Sequence, residues 1–146
     1  MTSADWTSIT HGLGRTFAFL AVAVVLLAVG FYILDRFSPA EKMVDLIMRD
    51  HNRNAARVSS AAILAQAIVI GTAVITTNSD FVVGLVSTAI FGAVGVLLQT
   101  AVYFLFDLLT PGNVGDVVDD PNDHPGSWVL AASLLASGII VAACIS

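Results

Sequence analysis

Few side chains in this 146-residue sequence could do chemistry, and most of them sit in short polar segments between long apolar runs. His11, His51 and His124 fall in three different segments, and none belongs to an HExxH, GxSxG or phosphate-binding glycine motif. Those motifs put a nucleophile, its base or a ligand set on one turn or helix face; without them the sequence gives no grounds for an enzyme. Cys144 is the only cysteine, which excludes an intrachain disulfide and leaves a thiolate metal site without a second thiolate. It reads as a small apolar packing residue. The densest ionisable cluster is acidic: Asp116, Asp119, Asp120 and Asp123, with His124 beside them. A divalent metal or a polyamine would suit those charges, but the spacing lacks the D-x-D-x-D-G run and distal Glu of an EF-hand loop. A solvated acidic loop is the simpler expectation. No catalytic residue, metal ligand or cofactor is assigned.

The basic residues are Arg15, Arg36, Lys42, Arg49, Arg53 and Arg57, and all but Arg15 lie in one inter-run segment. The segment Asp107–Ser127 carries only acids and His124. Two loops of opposite sign on one side of the molecule should attract each other. Arg49, Arg53 or Arg57, with Asn54 in the same loop, is therefore expected near Asp119, Asp120 or Asp123. Exposed pairs of this kind contribute only a few tenths of a kcal/mol each, so they set geometry more than stability. The run RDHNRNAAR, from Arg49 to Arg57, would also suit anionic lipid headgroups. Nucleic acid is a poor partner for a chain of net charge −5.

The elements that must position these groups are apolar. Charged residues are only 12% of the chain and apolar residues 57%, against roughly 25% charged in an ordinary globular protein. Four blocks at about 17–34, 58–76, 81–106 and 128–145 contain no Asp, Glu, Lys, Arg or His. About 20 apolar residues cross a bilayer core as a helix. A chain this short could not bury four all-round apolar helices as a soluble core. The first block is too long for a signal-peptide core and no small-x-small cleavage site follows it. The expected fold is all-α, an integral membrane four-helix bundle forming a single transmembrane domain over 1–146. Positive-inside asymmetry places Arg36–Arg57 and Asp107–Ser127 as two cytoplasmic loops, with both termini and the 77–80 turn outside.

Inside the blocks, Gln66 and Gln99 are the two amides, at matching depths of about 10–12 Å from the cytoplasmic ends. They could hydrogen-bond to each other across a helix seam or line a polar pathway. Ser59, Ala62, Gln66 and Ala73 share one face of the second span. Thr88, Gly92, Gly95 and Gln99 share one face of the third, and Ser133, Ala136, Ser137 and Gly138 put small residues on the fourth. Small faces with amide glue favour packing, and intramembrane ionisable residues, the usual mark of pumps and relays, do not occur.

Sliding the chain on itself by 72 residues superposes GFYILDRFSP (Gly30–Pro39) on VYFLFDLLTP, with Asp35 over Asp107, Ser38 over Thr110 and Pro39 over Pro111. The expected organisation is two tandem helical-hairpin repeats, over 12–76 and 84–146. With two spans each they share one orientation, so their twofold axis runs along the membrane normal. Ser38 or Thr110 followed by Pro reads as the cap of a new helix, with Glu41 completing a capping box in the first copy. An amphipathic surface helix should then run to about Asp50, whereas Gly112, Gly115, Pro121 and Pro125 predict an irregular loop in the second copy. Asp35 and Asp107, at helix carboxyl ends, oppose the dipole. Either they meet Arg53 or Arg57, or they reach out to water.

The run NRNAARVSSAAILAQAIVIG, Asn52 to Gly71, resembles the signature after the first cytoplasmic loop of the bacterial domain-of-unknown-function family 350. Gln99 and the stretch from Ala136-Ser137-Gly138 to Ala142-Ala143-Cys144 are similar to that family's later landmarks. Asn122-Asp123-His124-Pro125-Gly126 departs from the Asn-x-Ala element that the family often repeats before its fourth span. The resemblance implies a bacterial inner-membrane protein of unassigned biochemistry. The expected role is non-enzymatic: a component that self-associates as a homo-oligomer or docks another membrane protein, in envelope maintenance or stress. The alternative is a small channel or transporter using the Gln66/Gln99 region.

Overall fold

A computed structural model of the chain describes residues 3–37, 42–76, 80–109 and 113–146, and for 3–11 only the course of the helix. The described residues form six helices and no strand: α1 (Ser3–Phe37), α2 (Met43–Met48), α3 (Arg53–Thr76), α4 (Phe81–Leu109), α5 (Val114–Asp119) and α6 (Gly126–Ile145). Four stretches are long and apolar enough to cross a membrane: Gly12–Arg36, Arg53–Thr76, Phe81–Leu109 and Gly126–Ile145. At 35 residues, α1 extends about 50 Å, well beyond a hydrocarbon core of about 30 Å, so its first turns project from the apolar zone.

The helix boundaries differ from the sequence expectation at the short elements. Ser38, Pro39, Glu41, Thr110 and Pro111, which carry the expected caps, lie outside the described residues. The described α2 begins at Met43, several residues after the expected start. The group that meets its first turn is Asp35, whose Oδ1 accepts the N–H of Val44 at 3.3 Å. Asp107 repeats the arrangement, accepting the N–H of Val114 at 3.0 Å. Each carboxylate thus ends one long helix and satisfies an orphan donor of the next short one, and neither Arg53 nor Arg57 is needed as its partner. Within the acidic segment that was expected to be irregular, α5 forms over Val114–Asp119, while 120–125 carries no helix. Gly115 lies in its first turn, and Val114, Gly115 and Val118 are buried, so tertiary packing holds this short helix.

The central pair is α3 and α6, which share the most extensive contact. In addition α3 touches α1, α2, α4 and α5, while α4 packs on α1, α3 and α6. Half of the apolar window of α3 is buried but only 11% of that of α1, so α1 is the loosest long helix. Every buried residue of α6 lies 72 positions after a buried residue of α3, from Ala55 and Ser127 to Ile70 and Ala142. Both helices therefore bury the same stripe.

Association inside a bilayer depends on close packing, because lipid tails are as apolar as the side chains they would replace. Glycines supply notches for that packing. A Cβ at Gly138 would fall 2.6 Å from the Cβ of Ala65 and 2.8 Å from its Cα, so α3 and α6 meet nearly backbone to backbone. Gly95 receives Val69, Gly92 receives Leu26, and Gly30 receives the Gln66 amide. One notch thus serves each of the α3–α6, α3–α4, α1–α4 and α1–α3 contacts.

Candidate functional site

The polar residues gather where α2 and α5 fold under the ends of α3 and α6. After α2 the chain turns through His51, whose φ of 51° is left-handed, a backbone that His adopts more readily than most side chains. That turn delivers Asn52 to the start of α3. Its Oδ1 accepts the N–H groups of Asn54 at 2.8 Å and Ala55 at 3.1 Å, which is an N-cap. Its Nδ2 donates to the carbonyls of Val118 at 2.9 Å and Asp120 at 3.1 Å. Asn54 does the same one step on. It donates to the carbonyls of Asp120 at 3.1 Å and Asn122 at 2.7 Å, and its Oδ1 accepts the N–H of His124 at 3.1 Å. Both amides are buried, Asn54 to 1% exposure, and both use each donor and acceptor site. Two asparagines of the basic loop thus hold the backbone of the acidic loop.

Charge reinforces the clasp. Arg57 pairs with Asp123 and donates to Ser127 Oγ at 3.3 Å and Asn54 Oδ1 at 3.4 Å. Its guanidinium lies 4.5 Å from the Trp128 ring centroid, a cation–π distance. The hydrogen bond from Arg57 is the main cause that holds the Asp123 carboxyl below the usual carboxylate range; burial opposes it, and the charges of Arg57 and Arg53 add to it. Ser127 Oγ donates to the His124 carbonyl at 2.8 Å, and His124 Nδ1 accepts the N–H of Gly126 at 3.0 Å. His124 thereby shapes the start of α6.

The other expected loop residues divide. Arg49 pairs with Asp45 one turn back on its own helix, at 3.4 Å, and Arg53 is exposed. Asp119 is half-buried at the end of α5. Asp120 contributes its carbonyl to both asparagines and its carboxylate to the N–H of Asn122, at 2.8 Å. Among the described residues no three His, Cys, Asp or Glu side chains converge as a metal set would require.

At membrane depth the two amides part company. Gln99, fully buried, donates to the Leu134 carbonyl at 3.0 Å and accepts the Ser137 hydroxyl at 3.3 Å, joining α4 to α6. Gln66, 1% exposed, has no hydrogen-bond partner on either amide atom; it fills the Gly30 notch of α1. They therefore do not bond to each other. Ser59 donates to Met43 Sδ at 3.1 Å and ties α3 to α2. The expected small faces of α3 and α4 are buried as a whole, whereas on α6 only Ser137 and Gly138 are: Ser133 is half-buried and Ala136 exposed.

Sequence reasoning passed over Asn52 as a cap, although Asn just ahead of an apolar run is an N-terminus signal. It also gave no pairing of Arg57 with Trp128, two residues 71 positions apart. Two apolar grooves open on the outer surface. One, of about 450 Å³, lies between α3 and α6 below Arg57 and Trp128, floored by Ala56, Ser60, Ala61, Ala131 and Ala132. The other, of about 730 Å³, lies between α1 and α3. Neither Gln66 nor Gln99 borders them.

Comparison with known proteins places this architecture. The family described as Domain of Unknown Function (DUF350) matches residues 8–145. A UPF0719 transmembrane protein of Mycolicibacterium paratuberculosis is 35% identical over 144 residues, covering 99% of this chain and 95% of the relative. UPF0719 transmembrane proteins of Mycobacterium bovis and Mycobacterium tuberculosis are each 29% identical over 140 residues, covering 96% of this chain and 91% of the relative. No solved structure matches. The chain belongs to the DUF350 family of multi-span membrane proteins.

Proposed function

We propose that this membrane protein is a non-enzymatic scaffold of the bacterial inner membrane that associates with a second copy of itself. It is read as two tandem hairpins of one orientation, with the clasp on the cytoplasmic side. The observation that carries this reading is the small-residue groove between α3 and α6. Alanine and serine floors allow a second helix to approach closely, which is how helices associate in lipid. The use of the polar groups supports it as well: the clasp asparagines and Gln99 are spent on internal contacts, which leaves packing surfaces as the outward-facing feature of α3 and α6.

The test is oxidative crosslinking in native membranes. With Cys144 replaced by Ser, exposed Ser60 on the groove floor is changed to Cys. A disulfide-linked dimer is expected, and Leu64→Trp, which fills the groove, should abolish it. A strict monomer with no crosslinked partner in native-like lipid would end the proposal. Labelling of a cysteine at position 49 only from the cytoplasmic face tests the orientation.

One observation favours a second reading, a small channel or transporter: the buried Gln66 amide without a partner. Transport through that region predicts that Gln66→Met changes solute flux in liposomes while the fold stays intact.

A further inference from the structure

The larger groove has a shape and chemistry of its own. At one end α1 and α3 are pinched together where Gln66 enters the Gly30 notch; a Cβ there would lie 2.5 Å from Gln66 Nε2. From that point α1 leans on α4, through Leu26 against Gly92 and Phe19 edge-on to Phe81 at 6.1 Å between ring centroids. It parts from α3, and the wedge between them is the groove of about 730 Å³. Apart from Arg15 and Thr16 its lining carries no polar side chain, and the Thr16 hydroxyl is spent on the Gly12 carbonyl at 3.1 Å.

Arg15 stands at the open end with its guanidinium 5.7 Å from the Phe81 ring centroid, and it forms no ion pair among the described residues. On α1 the groove runs from Arg15 to Leu27, a rise of about 18 Å. A single leaflet's hydrocarbon is about 15 Å deep, half of the roughly 30 Å core. The groove is therefore one leaflet deep, with a cation at the interface end and closure near the midplane. The Gly30–Gln66 pinch closes the groove near the midplane. What sets this groove apart from the α3–α6 groove, where Arg57 is held by Asp123, is a cation at headgroup level with no ion-pair partner among the described residues.

We infer that the α1–α3 groove seats one anionic phospholipid of the leaflet on the side of the α3–α4 turn, its acyl chain against Leu20, Val24, Ile70 and Val74 and its phosphate on Arg15. The guanidinium fork matches phosphate oxygens in pairs. This site lies at the opposite end of α3 from the clasp and does not depend on self-association.

The full chain is reconstituted in vesicles of equal parts phosphatidylglycerol and phosphatidylcholine, extracted gently, and the retained lipid is read by native mass spectrometry. Phosphatidylglycerol should be retained about fivefold over phosphatidylcholine, the preference one interfacial cation supplies. Gly71 borders the groove and a Cβ on it meets nothing within 4 Å, so Gly71→Leu fills the space without displacing existing contacts. That variant should lose the retained lipid of both classes. Arg15→Gln should keep a lipid and lose the headgroup preference. Retention unchanged in Gly71→Leu overturns the inference, as does an intact preference in Arg15→Gln. A dimer that replaces the lipid in the wild type and vanishes in Gly71→Leu overturns it in favour of a second copy.

Discussion

At the scale of single residues, the informative side chains are amides rather than charges. Asn54 spends both amide hydrogens on carbonyls of residues 120 and 122. Asn54→Asp would replace those donors with an oxygen facing two carbonyl oxygens, and leaving such buried groups unmet costs roughly 1–3 kcal/mol. Thermal unfolding in nanodiscs should show that loss, and Arg53→Gln, at an exposed position, should show almost none. The ion pair predicts a pH response. Because the Asp123 carboxyl sits below its ordinary value, its contribution is complete above the usual carboxylate range of about 4 and disappears as pH falls through the lowered value. The melting-temperature gap between wild type and Asp123→Asn should accordingly close in acid. Both partners reach solvent, so the gap itself should be small. The attraction between the loops was legible from charge alone. That the asparagines grip main-chain carbonyls was not, because backbone acceptors carry no sequence signature.

At the scale of elements, Gln66 and Gln99 looked equivalent in sequence, and the packing distinguishes them. Gln99 meets the Leu134 carbonyl and the Ser137 hydroxyl across the α4–α6 contact, whereas Gln66 meets a glycine notch. Methionine matches the glutamine shape without its polar atoms. Gln99→Met should destabilise by about 0.6–1.7 kcal/mol, the range of interhelical hydrogen bonds in membranes. Gln66→Met should stabilise by roughly 1 kcal/mol, because it removes a buried amide that pays for no hydrogen bond. If both variants shift the unfolding midpoint the same way, the distinction is wrong. The long helices could be read directly from hydropathy, and the buried stripes of α3 and α4 from small residues three and four apart. Of the short helices, α2 was expected from its amphipathic run ending near Asp50, whereas α5 was not. Six residues are too few for periodicity to declare itself, and α5 owes its existence to valines meeting α3 and α6 rather than to local preference.

At the scale of the whole molecule, the contact that matters most is that of α3 with α6. Because α3 and α6 bury equivalent stripes and meet through the Gly138 notch against Ala65, their contact should join the two halves of the chain without a covalent link. Expressed together as separate polypeptides cut between residues 78 and 79, the halves should co-purify, and Gly138→Leu should prevent it by holding the α3 and α6 backbones apart. Recovery of only single halves from the unsubstituted pair would show that chain continuity, not this contact, holds the molecule together. The buried stripes of α3 and α6 recur at the 72-residue spacing, and the membrane class was readable because composition dictates it. The lean of α1 was not, since it follows from which notch accepts which side chain.

The clasp also separates two kinds of change in the acidic loop. Asn52 and Asn54 reach the carbonyls of residues 118, 120 and 122 and the N–H of 124, groups that nearly any amino acid would present. Exchanges of letters at Val117, Asp119 or Pro121 leave that grip in place so long as the backbone path is kept. Adding or deleting one residue between 118 and 124 does not, because the whole comb of carbonyls then moves out of step with the two amides. The acidic loop is thus measured rather than spelled.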